Sequence, residues 1–153
     1  MEKKLYAAYG SNLNIEQMKV RCPGARRVGA GQLADYRLLF RAGGQGVYLT
    51  VEPCPGSCAP VGLWEIEPCH ETALDEYEDW PTLYRKETLP VAFTEFETGR
   101  PRRETALVYI MQAGHPLAQP DGAYLRACME GFAAFGLDTA VLERAAEDWA
   151  CVG

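Results

Sequence analysis

The chain has 153 residues, a formal net charge of −6 and a sequence pI near 5.0. A chain of this length forms one domain with a core large enough to contain a pocket. The acidic balance argues against nucleic acid as a partner, because proteins bind the phosphate backbone mainly through Lys and Arg. No segment approaches the roughly 18 consecutive apolar residues of a membrane span, and the N-terminus lacks a signal-peptide pattern. We therefore expect one domain over residues 1–153, cytoplasmic, away from membranes, as a monomer or homodimer.

The N-terminal region reads as strand, tight turn and helix. Lys4 to Tyr9 is an aromatic and small-residue run typical of a buried strand, and it stops at Gly10. Asn14, followed three residues later by Gln17, is the capping arrangement that predicts a helix start, and Pro23-Gly24 predicts its end.

The middle of the chain is dominated by strand patterns. Alternating apolar and polar residues, or short apolar runs, predict strands that are separated by Gly- and Pro-rich segments. The first of these breaks, at Pro53 to Gly56, is expected to end a strand. The predicted strands are Gln32 to Phe40, Val47 to Glu52, Val61 to Ile66, Leu89 to Phe96 and Ala106 to Met111.

Three further helices are predicted. Pro68 opens one that runs to Tyr77 and is stopped by Pro81. Near the C-terminus, Tyr124 to Phe135 and Thr139 to Trp149 have helical composition and are separated by Gly136-Leu137-Asp138. Because the helices are grouped rather than alternating with strands, we expect an α+β fold with a mixed, curved or barrel-like sheet flanked by helices.

The turn from Tyr9 to Leu13 is a first candidate for chemistry. A glycine between strand and helix permits a close backbone approach or a positive φ, and a helix N-terminus attracts a carboxylate or an oxyanion. Gly, Ser and Asn are also ordinary turn and cap residues, so the pattern alone leaves a structural role open.

The acidic stretch from Asp75 to Trp80 is a second candidate. Asp75 and Glu78 are three residues apart and would share one helix face, so their like charges, together with burial beside Tyr77 or Trp80, would raise a carboxyl pKa. The alternative is a solvated helix surface. The other Tyr and Trp residues are interpreted as core.

The cysteines offer a weaker possibility. In a cytoplasmic protein they are expected to be free thiols. Zinc could use Cys54, Cys58, Cys69 and His70, but three residues separate the first pair and the second pair is adjacent, which is poor spacing for a tetrahedral site. The six cysteines are Cys22, Cys54, Cys58, Cys69, Cys128 and Cys151.

Together, the two candidate segments resemble the γ-glutamylcyclotransferase family. Tyr6 to Leu13 (Tyr-Ala-Ala-Tyr-Gly-Ser-Asn-Leu) resembles its N-terminal signature, and Leu74 to Glu78 resembles its Leu-Asp-x-x-Glu segment, which carries the catalytic glutamate. Residues between and after them follow the family's usual order, so the resemblance covers nearly the whole chain. These are Arg21-Cys22-Pro23, Leu33 to Phe40, Gly62-Leu63-Trp64, Tyr84, and a late helix with Tyr124, Leu125 and Gly131.

The resemblance implies a barrel-like fold with a cavity, no metal and no organic cofactor. It implies that the substrate's α-amino group attacks its own γ-carbonyl, releasing 5-oxoproline and an amine, with Glu78 as acid and base. The implied substrate-binding residues are Tyr9, Gly10, Ser11, Asn12, Leu13 and Tyr84.

Two alternatives to that reaction stay open. One is a non-catalytic small-molecule binding module on the same fold, and the other is a cyclotransferase acting on an amine-linked or carrier-linked γ-glutamyl group of a biosynthetic pathway. One departure bears on substrate choice: many family members have Gly after the catalytic glutamate, whereas this chain has Asp79-Trp80-Pro81.

Overall fold

The computed structural model describes residues 2–148 as a five-stranded closed sheet with four α-helices. This confirms the predicted α+β fold and most of the predicted elements. The predicted residue Trp149 lies outside the described range, as does Cys151. The strands are β1 (Lys4–Ala8), β2 (Arg26–Gly43), β3 (Gly46–Ile66), β4 (Tyr84–Glu95) and β5 (Pro101–Met111). The helices are α1 (Ile15–Arg21), α2 (Pro68–Tyr77), α3 (Gly122–Ala134) and α4 (Ala140–Asp148), with a 3-10 turn at Ser11–Leu13.

The sheet closes into a barrel in the order β1-β3-β2-β4-β5. Four of the strand pairs are antiparallel, and the closing contact between β1 and β5 is parallel, with Tyr6 opposite Leu107. Closure gives each strand a neighbour on both sides along part of its length, which hides backbone groups that an open edge would expose. In the described part of the chain, no helix is long and apolar enough to cross a membrane.

The prediction that a strand ends at Pro53 is wrong, because β3 continues through this segment to Ile66. Pro53 lies opposite Tyr36, and β1 joins the other side of β3 only from Gly62 onward. A strand paired on one side tolerates proline, since the missing N–H can face the unpaired side. Local turn residues therefore do not interrupt the ladder here.

The helices pack on the 3-10 turn and fix its position. The Asn14 side chain caps α1 by accepting from the Gln17 N–H at 3.2 Å, as predicted, and donates to the Ala127 carbonyl of α3 at 3.2 Å. A Cβ built on Gly131 of α3 would lie 2.6 Å from the Leu13 carbonyl carbon. Helix α3 thus lies directly against the turn that follows β1.

Gly131→Ala is expected to destabilise the protein by up to about 2 kcal/mol in urea unfolding. The overpacking cost of roughly 1–3 kcal/mol exceeds the gain of about 1 kcal/mol that Ala brings to a helix interior. Gly122→Ala, the same change in the same helix, is the control, because nothing lies within 4 Å of its added Cβ. Equal stabilities of the two variants would contradict the close approach of α3 to Leu13.

Candidate active site

A cavity of about 350 Å³ opens where the turn after β1, the end of α2 and the tip of the β2–β3 hairpin meet. Its wall is dominated by phenol rings. Two of them come from β1 and the residue that follows it, and one each comes from β3, α2, β4, β5 and α3. Seven of the chain's eight tyrosines line it, namely Tyr6, Tyr9, Tyr48, Tyr77, Tyr84, Tyr109 and Tyr124. Four of them, Tyr6, Tyr9, Tyr84 and Tyr109, are buried in the core, which confirms the interpretation as core for these four. No period in the sequence signals that the seven share one cavity wall, because most of them come from separate segments.

The closed barrel brings most of the predicted site residues to this cavity. Tyr9, Gly10, Ser11, Asn12, Tyr84 and Glu78 all line it. Leu13 does not: its side chain is fully buried in the core, and its N–H donates to the Gly10 carbonyl at 3.0 Å. The expected ligand contact at Leu13 is therefore corrected to a packing role under helix α3.

The turn presents backbone donors to the cavity. Within residues 2–148 the N–H groups of Ser11 and Asn12 donate to no protein acceptor, and both residues border the cavity. Gly10 has a φ of −128°, so the expected positive φ is wrong. Space beside Gly10 is tight instead, because a Cβ would lie 3.1 Å from the Tyr124 hydroxyl.

Glu78 caps the C-terminus of α2, and its side chain enters the cavity. Its backbone N–H donates to the Leu74 carbonyl at 2.8 Å, which fixes the residue to the helix end. Its carboxylate oxygen Oε1 accepts from Asn12 Nδ2 at 3.2 Å. The same Asn12 nitrogen donates to the Tyr6 hydroxyl at 2.9 Å. The two segments identified in the sequence thus meet through a hydrogen bond between their side chains.

Burial in this tyrosine-lined cavity raises the pKa of Glu78 to about 8, and the nearby Arg21 guanidinium acts in the opposite direction. The expected contribution of Asp75 is wrong. Asp75 does not line the cavity. Its carboxylate accepts a hydrogen bond from the Tyr109 hydroxyl at 2.7 Å and forms an ion pair with Lys86 at 3.0 Å. Desolvation rather than repulsion between carboxylates therefore sets the proton affinity of Glu78.

The tyrosine hydroxyls are tied into the barrel. Tyr9 donates to the Tyr109 carbonyl at 2.5 Å, and Tyr84 donates to the Leu49 carbonyl at 2.7 Å. The Leu49 N–H in turn donates to the Tyr124 hydroxyl at 3.1 Å. Burial raises the pKa of Tyr9, Tyr84 and Tyr124 well above its ordinary value, so these phenols stay neutral and form a rigid wall.

Asp79, the residue after Glu78, adopts a φ of +53°. This is the left-handed conformation that commonly follows a helix and that glycine adopts most easily, with Asn and Asp next among the other residues. Asp79 keeps this backbone conformation and places an acidic residue on the cavity wall.

The proposed zinc ligands are not brought together. Cys54 and Cys58 lie on β3, whereas Cys69 and His70 lie at the start of α2, and His70 Nε2 is 2.7 Å from the Pro23 carbonyl. Among the described residues, no three or more His, Cys, Asp or Glu side chains are grouped so as to hold a metal ion. The cysteines between residues 2 and 148 are unpaired with one another.

The chain belongs to the gamma-glutamyl cyclotransferase, AIG2-like family, whose sequence model matches residues 6–126. The structure of a gamma-glutamyl cyclotransferase is similar over 94% of this chain and 86% of its own length, with a TM-score of 0.79 and 26% identity. An uncharacterised protein from Homo sapiens is similar over 95% of this chain and 87% of its own, with a TM-score of 0.80 and 27% identity. No match was found among curated protein sequences.

A more distant structure shares the fold alone. It is a yeast gamma glutamyl cyclotransferase specific to glutathione, which is 11% identical with a TM-score of 0.58, over 97% of this chain and 99% of its own.

We expect the stability difference between Glu78→Gln and the wild type to depend on pH. The folded-state pKa of about 8 lies above the ordinary 4.5, so the folded wild type retains a proton that the unfolded chain loses. Wild-type stability therefore falls as the pH rises from about 5 to about 8, whereas the glutamine variant lacks this loss. In urea unfolding, the free energy of unfolding of the variant should rise relative to that of the wild type across this pH range.

Glu76→Gln is the matched control for this measurement, because Glu76 is exposed and makes no contact with the cavity. Its stability difference from the wild type should stay flat with pH. A flat difference for Glu78→Gln as well would contradict a buried, proton-binding carboxyl.

Proposed function

We propose that this protein converts a γ-glutamyl amide into 5-oxoproline and a free amine, with Glu78 as the acid and base. The observation that supports this most strongly is the Glu78 carboxyl itself. The chain belongs to a family of gamma-glutamyl cyclotransferases, and in it this carboxyl faces a cavity, has a pKa raised to about 8, and lies beside backbone donors with no protein partner.

The reaction needs no nucleophile from the protein. The α-amino nitrogen of the substrate attacks its γ-carbonyl carbon, a five-membered ring closes, and the bond to the leaving nitrogen breaks. Because both reacting atoms belong to one molecule, the protein's main task is to hold the glutamyl chain in its folded conformation. A cavity of about 350 Å³ is within the range of small-molecule sites and encloses such a group.

Two protons move in this reaction, and the Glu78 carboxyl carries out both transfers. The substrate's ammonium group, with an ordinary pKa of about 8, must lose a proton before it can attack, and the leaving nitrogen must gain one. A carboxylate of ordinary pKa 4.5 would be a poor base for this step, by about 3.5 pKa units or roughly 5 kcal/mol. At a Glu78 pKa of about 8, the free-energy change of the first proton transfer is close to zero.

The amides of Ser11 and Asn12 would bind the substrate's α-carboxylate or the oxyanion that forms at the γ-carbonyl. Both are unpaired donors on the cavity wall, ahead of the helix α1 N-terminus. Fixed backbone donors stabilise negative charge without the reorganisation that water would need.

A non-catalytic binding module is the competing proposal. A pocket that only binds has no need for a carboxyl group whose proton affinity matches that of an amine, and burying such a group lowers stability above its ordinary pKa. This loss of stability is explained if the Glu78 carboxyl transfers protons during turnover.

The first test is release of 5-oxoproline from a γ-glutamyl amide, compared with the isomeric α-glutamyl dipeptide. The γ isomer should react and the α isomer should not, because the amino group of the α isomer would have to close a three-membered ring to attack its amide carbonyl. Equal rates would indicate a peptidase, and binding of the γ isomer without turnover would indicate the binding module.

Glu78→Gln should lower kcat by ~10² to 10⁴, the usual contribution of a positioned acid or base. Glu76→Gln, the same change two residues away at an exposed position, should retain wild-type kcat. Folding of both is checked by thermal unfolding. A Glu78→Gln variant with most of the wild-type kcat would remove Glu78 from the mechanism.

The charge of the cavity wall further favours leaving amines without a carboxylate. Among residues 2–148, the charged side chains on this wall are Glu78 and Asp79, and no Lys, Arg or His lines it. If the amides of Ser11 and Asn12 bind the carboxylate of the glutamyl group, the wall offers no cation for a second carboxylate. A γ-glutamyl amino acid would therefore leave one carboxylate unpaired near two acidic groups.

We expect γ-glutamylglycinamide to have a kcat/KM at least ~10-fold higher than γ-glutamylglycine, because an unpaired buried charge costs about 1–3 kcal/mol or more. The two substrates differ only in that carboxylate. Asp79→Asn should reduce the ratio of the two kcat/KM values, because it removes a negative charge near the leaving group. Asn tolerates the same left-handed conformation, so the backbone should not change. A higher kcat/KM for γ-glutamylglycine would show that a cation from outside the wall reaches the leaving group.

A further inference from the structure

Arg21, the last residue of α1, lies outside the cavity wall but contacts the groups that form it. Its Nη1 donates to the Asn12 side-chain oxygen at 2.6 Å, and its Nη2 donates to Gln17 Oε1 at 2.8 Å. Its guanidinium carbon lies 3.6 Å from the centre of the Tyr77 ring. One side chain therefore touches the turn after β1, its own helix and the end of α2.

The contact with Asn12 determines which way the Asn12 amide points. A guanidinium group only donates hydrogen bonds, so the atom that faces Arg21 must be the Asn12 oxygen. The amide nitrogen then faces the cavity, where its two hydrogens reach Glu78 Oε1 at 3.2 Å and the Tyr6 hydroxyl at 2.9 Å. The Trp64 indole N–H fixes the backbone of the same residue by donating to the Asn12 carbonyl at 2.9 Å.

Without Arg21, the Asn12 amide would lose the partner that distinguishes its two ends. A rotated amide would present its oxygen to the Glu78 carboxylate, which is repulsive, and would leave that carboxylate without its side-chain donor. The Tyr77 ring, whose hydroxyl lies 2.8 Å from Ser11 Oγ, would also lose the cation stacked on it. The charge of Arg21 favours the ionised form of Glu78 as well, since it lowers the pKa that burial raises.

We propose that Arg21 is a positioning residue that orients Asn12 and thereby holds the Glu78 carboxylate ready to act as a base. The role of Glu78 as a base rests on the proposed function. The effect of Arg21 on the orientation of Asn12 and on the Glu78 carboxyl does not depend on that function. Among the described residues, Arg21 is the only cation whose charge acts on Glu78. The other polar or titratable residues that line the cavity with Glu78 are Tyr6, Tyr9, Ser11, Asn12, Gln45, Tyr48, Tyr77, Asp79, Tyr84, Tyr109 and Tyr124.

The test compares Arg21→Gln with Lys19→Gln. Lys19 lies on the same helix, is exposed and pairs only with Glu16, so the control removes an equal charge without touching Asn12. In Arg21→Gln the acid limb of the kcat/KM profile should move up by about one pH unit, so that the rate near pH 7 falls ~10-fold. The rate at the high-pH plateau should fall as well, by a smaller factor, because Asn12 loses the partner that fixes its orientation. Lys19→Gln should keep the wild-type profile.

A readout that needs no activity separates this inference from the proposed function. The Glu78 carboxyl is titrated directly by carbon NMR of glutamate-labelled protein, with Glu78→Gln identifying its signal. The midpoint should rise in Arg21→Gln and stay in place in Lys19→Gln. An unchanged midpoint in folded Arg21→Gln would overturn the inference, even if the wild type releases 5-oxoproline. A raised midpoint in a protein that releases none would instead overturn the function alone.

Arg21→Lys distinguishes the charge from the geometry and serves if Arg21→Gln fails to fold. Lysine keeps the cation but cannot hold Asn12, Gln17 and the Tyr77 ring at once. The proposal expects Arg21→Lys to restore the titration midpoint of Glu78 in part and to keep a reduced plateau kcat. Full wild-type kcat in Arg21→Lys would show that Arg21 acts by charge alone and would overturn its positioning role.

Discussion

The parallel contact between β1 and β5 is the constraint on which the site depends. It places Tyr6 opposite Leu107 and closes the barrel. It also sets the Tyr6 and Tyr109 rings edge to face, with centroids 5.8 Å apart. The seam thereby brings Tyr6 of β1 and Tyr109 of β5 to one cavity wall, which no single segment forms alone.

The site balances two opposed effects on one carboxyl. Burial among tyrosines makes Glu78 hold its proton more tightly, and the Arg21 guanidinium favours its release. Burial without a cation would leave too little carboxylate at neutral pH, whereas a cation without burial would leave a carboxylate too weak to accept a proton from an amine. The neutral phenol groups allow both effects, because they exclude water without adding charge.

Features fixed by neighbours in sequence could be predicted, and those fixed by distant partners could not. The Asn14 cap and the helix beginning at Pro68 follow from local rules, and both are present. The course of β3 through Pro53 depends on its pairing with β2 and could not be derived from turn residues. The resemblance implied that Glu78 and Asn12 belong to one site, whereas their hydrogen bond, the contacts of Arg21 and the shared tyrosine wall became apparent only from the structure.

The reversal of the chain at Asp79 has a consequence for how this family diversifies. After Glu78, the N–H groups of Asp79 and Trp80 still donate to the Glu76 and Asp75 carbonyls of α2, while Asp79 adopts the left-handed conformation. Because these bonds use backbone atoms only, the side chains at positions 79 and 80 can change without breaking them, provided position 79 accepts that backbone conformation. Under the proposed function, the position that carries the proton transfer and the position that meets the leaving amine are adjacent in sequence, yet the second can vary without the first.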